Sequence, residues 1–316
     1  MSSQVIDQSH RKRREVRLSD LVFFHVLRGL GGLVVGLFVL LIYFLYSHSK
    51  PIFEQQGFGF FLNSEWSPTQ DVYGALSFAW GTVASSFIAL LVAIPLSLSA
   101  SLFLTELGPK WARAPFRFFV EMLAAIPSVV YGLWGIFVLV PYVRTVIQPV
   151  LREHSSWMPL FSGPPFGVGL FTAGMILGIM ITPTITSFSV EVFRSIPPLY
   201  RESAMALGAT SWETMRLAVL KPARAGLFAA IILGLGRAMG ETMAVAMVIG
   251  NRAEISISLF SPAATMSSVI ANEYAEANLG LHLNALVAVG FGLLLVSLIV
   301  NGLARLIIWK LTRVRQ

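Results

Sequence analysis

Residues 194–222 read RSIPPLYRESAMALGATSWETMRLAVLKP, a polar stretch set between two long apolar runs. Pro197 and Pro198 suit the first turn of a helix, and Gly208 suits the C′ position that ends it. Thr210, with Glu213 three residues on, makes a capping box for a second short helix. Pro222 then fits the start of the next apolar run. The pattern predicts two short helices joined at a bend and projecting from their apolar flanks. Met205, Leu207 and Trp212 among charges suit a surface made for a partner, and equally an ordinary interfacial helix pair.

The flanks set the class of the chain. Stretches without a formal charge cover 29–49, 72–105, 122–143, 154–190 and 277–304, with 21, 34, 22, 37 and 28 residues. A membrane-spanning helix needs about 20 apolar residues, so each stretch holds one. Ser162-Gly163-Pro164-Pro165 breaks the fourth before Phe166. A sixth span, about 225–250, is interrupted by Arg237 and Glu241. With the N-terminus inside, the inner segments carry 18 Lys and Arg and the outer ones 4. That bias predicts six spans with both termini cytoplasmic.

Composition agrees. Of 316 residues, 55% are hydrophobic and 12% charged, about half the charge of a soluble domain, and the mean hydropathy is +0.73. These values exclude a soluble enzyme and a disordered chain. The absence of cysteine excludes a disulfide scaffold, thiolate metal sites and cysteine nucleophiles. The five histidines, His10, His25, His48, His154 and His282, lie near ends or in loops without ligand spacing, so no metal site is expected. Net charge is +7, but the basic run Arg11 to Arg14 reads as a topogenic, lipid-facing tail rather than a nucleic-acid contact. The apolar stretch after it is longer than a signal-peptide core, so it reads as a retained first helix. The chain divides into a basic tail (1–20), a first transmembrane helix with its outer loop (21–71) and a five-helix domain (72–316). Pro95, Pro127 and Pro183 fall inside apolar spans and permit kinks. Residues 263–277 are expected to form a short helix at the outer surface.

The charges within the fifth span carry the functional reading. Counting from Pro222 at 1.5 Å per residue puts Arg237 about 22 Å along the helix, too deep for easy snorkelling. A charge at that depth costs roughly 3 kcal/mol or more and belongs in a bundle interior or a wet cavity. A spacing of four puts Arg237 and Glu241 on one helix face, near enough to pair. Such a pair either cements helix contacts or forms an anion waypoint, in which Glu241 competes for the guanidinium and weakens binding enough for release. Glu121, near the inner end of the third span, is either interfacial and paired with an arginine or an intramembrane acid with a part in transport. No Gly-x-x-x-x-Gly-Lys-[Ser/Thr] occurs, so the chain lacks a cradle for nucleotide phosphates.

Glu202-Ser203-Ala204, then Gly208, then Leu220 resembles the EAA loop of ABC-importer permeases, the coupling element that seats on an ATPase subunit. The chain departs from that pattern at Ser203, at Ala218 in place of Ile, and at Lys221 with Pro222 one residue late. LTELG at 104–108, EMLAAIPSVVYGLWG at 121–135 and GRAMGETMAVAMVIGN at 236–251 are similar to the PstC-type permeases of phosphate ABC importers. Together these stretches carry the likeness from about residue 72 to 302. The resemblance implies an all-α transmembrane chain with the six-helix type I importer fold and cytoplasmic coupling helices at 194–222. It implies a PstA-like second permease subunit, two PstB-like ATPase subunits and a periplasmic PstS-like phosphate-binding protein. No cofactor binds directly, and ATP is used by the partner ATPase. Arg237, Glu241 and Thr242 would line the substrate pathway, while Glu202, Ala204 and Gly208 would couple to the ATPase. A permease for sulfate or molybdate is the rival within the class. An autonomous channel or secondary transporter and, least, a membrane enzyme are the rivals outside it.

Overall fold

The computed structural model describes residues 18–154, 157–277 and 280–313, and among them the secondary structure is helical apart from turns and isolated bridges. The basic run at 11–14 lies outside the described residues. Among the described residues, six helices are long and apolar enough to cross a membrane: Val22–Gln56, Leu76–Leu107, Ser128–His154, Leu170–Arg194, Ser211–Gly240 and Leu281–Ile307.

The chain forms two units, Met1–Ser47 and His48–Gln316. The first, taken by itself, is helical from Leu18 and presents large apolar side chains, Phe23, Leu33, Val35 and Leu40 among them, without cover. It belongs to helix α1 (Leu18–Gln56), whose last residues fall in the second unit. There Ile52 and Phe60 are buried with Tyr73, Phe78, Leu286 and Val289 in a core of the second unit.

The centre of the second unit is the packing of α2 (Leu76–Leu102) on α5 (Leu170–Arg194). Gly174 and Gly178, four apart on α5, let the backbones meet: a Cβ on Gly174 would lie 2.5 Å from Ile88 Cβ, and one on Gly178 2.9 Å from Val92 Cβ. Small residues one turn apart are the usual means of close helix contact where lipid removes any hydrophobic drive. Ile176, Leu177, Ile181 and Ile185 fill the core beside them.

Several sequence expectations change here. Residues 110–125 form a separate helix, α3 (Lys110–Ala125), and the third span, α4 (Ser128–His154), starts only at Ser128. Pro127 does not kink a span; it stands outside both helices, with Ile126 in extended conformation (φ −67°, ψ 128°) as the residue before a proline prefers. After α5 comes α6 (Pro198–Ala206), then Gly208 at φ +84°, then α7 (Ser211–Thr214) with the expected Thr210/Glu213 capping box. Pro222 does not begin a span. The helix runs on from α7 through a π-turn at Met215–Leu220 into α8 (Lys221–Gly240), and Pro222 stands inside it directly after that turn.

A further change concerns α8, which ends at Gly240. Glu241 is extended (φ −69°, ψ 131°), and a short helix α9 (Met243–Val248) comes next. Glycines at 236 and 240 weaken the helix at that point, and the freed backbone finds a partner: Ser267 Oγ donates to the Glu241 carbonyl at 2.7 Å. Ser267 belongs to α10 (Met266–Glu273), a short helix within the expected 263–277, whose later residues Ala271 and Asn272 are exposed. Its first turn is buried against α2, where the Met266 N–H donates to Thr82 Oγ1 at 3.0 Å. The last helix is α11 (Leu281–Arg313).

Candidate functional site

Two arrangements stand out, one on α8 and one at the bend after α5.

On α8, Leu233, Gly236, Arg237, Gly240 and, past the break, Met243 are exposed, a stripe left uncovered by this chain. A Cβ on Gly236 or Gly240 would meet nothing within 4 Å. Arg237 Nη1 donates to Thr184 Oγ1 at 2.7 Å. Thr184 is ten residues from the Arg194 end of α5, about 15 Å along the helix, so the guanidinium lies near mid-span. Arg237 opens into a cleft of about 810 Å³ between α5, α8 and α11, shared with Asn301 and Arg305.

The expected Arg237–Glu241 pair is not formed. The break at Glu241 removes the helical geometry that a spacing of four relies on, and neither side chain makes an ion pair among the described residues. Arg237 is a charge held by a hydroxyl in a cleft whose other cation is Arg305. Glu241 and Thr242 lie in the two-residue break beside it, and Thr242 Oγ1 donates to the Gly240 carbonyl at 3.3 Å. Cation without counter-ion, polar neighbours and open space together suit transient contact with an anion.

At the bend, α6 buries no residue, and Leu199, Tyr200, Met205, Leu207 and Trp212 are exposed around Gly208. Glu202 is exposed, and the Ala204 carbonyl accepts from the Ala209 N–H at 3.1 Å in the turn that Gly208 allows. Exposed large apolar side chains grouped among polar residues have the composition of an interaction surface. What fixes α6 to the bundle is Arg201. Its Nη2 lies 2.5 Å from Glu106 Oε1, its Nε 3.2 Å from both carboxylate oxygens, and it also donates to the carbonyls of Ile196 (3.0 Å) and Phe193 (3.2 Å). Phe193, Ile196, Val219, Ala223 and Leu227 form a small core beneath.

Glu121 falls outside the six spans. It sits on α3 and accepts from Arg117 Nε at 2.7 Å, one turn away, with both side chains about half exposed. The carboxylate holds the Arg117 guanidinium in its charged form. Glu121 is thus paired with an arginine, on a helix separate from the six candidate spans. Thr184, Asn301, Arg305, Glu106 and Arg201 escaped sequence reasoning. A charge at the end of a run, as at Glu106, was the one available signal.

The fold is that of a multi-pass membrane protein, and the sequence places the chain in the importer-permease class. The chain belongs to the family described as binding-protein-dependent transport system inner membrane components, whose model matches residues 94–313. Within that family it groups with the PstC permeases. The phosphate transport system permease protein PstC of Mesorhizobium japonicum is 42% identical over 302 residues, covering 94% of this chain and 92% of the relative. That of Haemophilus influenzae is 46% identical over 263 residues (82% and 83%). The probable PstC of Methanocaldococcus jannaschii is 38% identical over 271 residues (84% and 86%). Among solved structures, a chain of the inward-facing MetNI methionine ABC transporter superposes with a TM-score of 0.50 at 18% identity, over 76% of this chain and 94% of that one. That likeness concerns the fold alone.

Proposed function

We propose that this chain is one of two permease subunits of an ATP-driven phosphate importer, and that phosphate passes along the uncovered α8 stripe. The carrying observation is Arg237: a guanidinium near mid-span, oriented by Thr184 and without a carboxylate partner among the described residues. A full positive charge there is costly unless something anionic visits it. The stripe around it is the face that a second, PstA-like subunit would close into a channel. Glu241 and Thr242, in the break one turn on, supply a carboxylate and a hydroxyl that meet the anion next and limit its residence. Phosphate leaves chemically unchanged, and the chain is not a catalyst.

The bend at Gly208 seats on a PstB-like ATPase, one of two in the complex, through Glu202, Ala204 and the apolar patch. A PstS-like phosphate-binding protein delivers from the opposite, periplasmic side, and both termini are cytoplasmic. The chain needs no cofactor of its own; ATP is consumed by the partner.

The test is uptake by the complete complex in proteoliposomes. Arg237→Gln abolishes ATP-dependent phosphate uptake while all subunits still copurify. Normal uptake by that variant removes Arg237 from the pathway, and uptake of sulfate or molybdate in preference to phosphate reassigns the substrate.

A further inference from the structure

We propose that the end of the bundle carrying the Gly208 bend holds a binding site for the headgroup of an anionic phospholipid, apart from the translocation pathway. A cleft of about 650 Å³ opens between α3, the ends of α2 and α5, and the start of α6. Five cations line it, Lys110, Arg113, Arg117, Arg194 and Arg201, against one carboxylate, Glu106. Glu106 is already saturated by Arg201. Two further acids stand at the rim, Glu121 on Arg117 at 2.7 Å and Glu191 on Arg194 at 3.6 Å. Lys110 and Arg113 have no carboxylate among the described residues, and Arg113 is aimed by the carbonyls of Gly108 (2.8 Å) and Glu106 (3.3 Å). The cleft therefore keeps a net positive charge with directed N–H donors, which is what a phosphodiester needs.

Its position selects a lipid. The second span ends at Leu107 and the fourth at Arg194, so the cleft lies where two helices leave the bilayer, at headgroup depth. On α3, the residues flanking the basic face are bulky and uncovered: Trp111 is 80% exposed, Phe119 64% and Phe118 57%. A helix with a basic face and an aromatic face lies in the membrane interface with its rings among the acyl chains. Basic pockets between spans on the positively charged side take anionic headgroups. The inference rests on the proposed membrane orientation but not on the identity of the transported ion.

The complete complex is assembled in nanodiscs of phosphatidylcholine with a minor share of phosphatidylglycerol, and retained lipid is read by native mass spectrometry. Wild type retains phosphatidylglycerol over phosphatidylcholine. The variant Lys110→Gln/Arg194→Gln, which spares the cations bonded to backbone carbonyls, loses that preference by about 25-fold, at about fivefold per cation. Arg216→Gln/Arg224→Gln removes two exposed cations that do not line the cleft, and changes the preference by less than about twofold. If the double cleft variant does not assemble, Lys110→Gln alone shows the fivefold change. Equal losses in the cleft and control variants overturn the site. Displacement of the lipid by millimolar inorganic phosphate also overturns the lipid assignment. Phosphate uptake by Arg237→Gln is a separate measurement, so the failure of one reading is distinguishable from that of the other.

Discussion

Replacing Glu106 by Gln removes the carboxylate that receives Arg201 and with it the main tie between α6 and the end of α2. The side chains are 22% and 19% exposed and joined by three contacts between 2.5 and 3.2 Å. An exposed pair contributes at most about 1 kcal/mol, and breaking a fully buried one costs about 3–5 kcal/mol. Burial here is intermediate, and the carbonyls of Phe193 and Ile196 still hold the guanidinium after the change. The expected loss is about 2 kcal/mol, which is roughly 30-fold in the ratio of docked to undocked α6.

Amide hydrogen exchange reads that ratio directly. In the variant, amides of 199–209 exchange roughly 30-fold faster, while the interior of α2 stays within about twofold. In the assembled importer, less phosphate enters per ATP hydrolysed. The exchanged pair Glu106→Arg/Arg201→Glu recovers part of the protection, because the two groups meet again in reversed order. If α6 amides in Glu106→Gln stay within about threefold of wild type, the reasoning fails, and the apolar cluster around Phe193 and Val219 is what holds the bend.

Gly208→Val puts a β-branched residue at φ +84°, at a cost of about 1–2 kcal/mol. It lowers ATPase copurification about tenfold, whereas Gly208→Asn, which tolerates that conformation in open space, keeps most of it; equal binding by both variants refutes the backbone argument. Thr184→Val keeps the shape but removes the acceptor for Arg237. A hydrogen bond to a charged group is worth about 1.5 kcal/mol or more, so initial uptake falls about tenfold and Thr184→Ser restores it. Tyr73, outside the spans, has its pKa pushed up to about 12 by burial and then by the hydrogen bond to Asp71. The folded value is the higher one, so its contribution is complete below about pH 10 and is lost as pH rises toward about 12. Roughly 2 kcal/mol disappears over that window, and Tyr73→Phe flattens the alkaline limb of a melting curve against pH. An unchanged limb in Tyr73→Phe assigns the loss to another group.

What the sequence made legible is local. The Thr210/Glu213 box, the left-handed turn at Gly208 and the break at 162–165 each depend on residues a few positions apart, and each is in place. Six spans were countable because charge cannot sit cheaply in lipid. The third was misplaced because 122–143 has no charge to mark its boundary; only Pro127 separates α3 from α4. The misreading at Glu241 has a different origin. A spacing of four is informative only within an unbroken helix, and the donor that supports the break is Ser267, 26 residues on. Thr184 is 53 residues from Arg237, and Glu106 is 95 from Arg201. No local pattern announces partners at such distances.

Those long-range contacts give the two sites a mechanical relation. From Ser211 to Gly240 the chain is one helix of 30 residues, so Arg237 rides on the same rod as the capping box beside the Gly208 bend, about 39 Å away. Force on the bend enters that rod at Ser211, and the π-turn at Met215–Leu220 is the place along it where the hydrogen-bond ladder is altered and a bend is absorbed most easily. Arg201 ties the same bend to the end of α2, and α2 is packed through Gly174 and Gly178 onto α5, which carries Thr184. The two halves of the Arg237–Thr184 hydrogen bond thus connect to the bend by separate routes, one through α8 and one through α2 and α5. A movement that shifts α8 relative to α5 by more than about an ångström breaks that bond; on the proposed pathway, a loop displacement would thereby become release or capture of phosphate at the guanidinium.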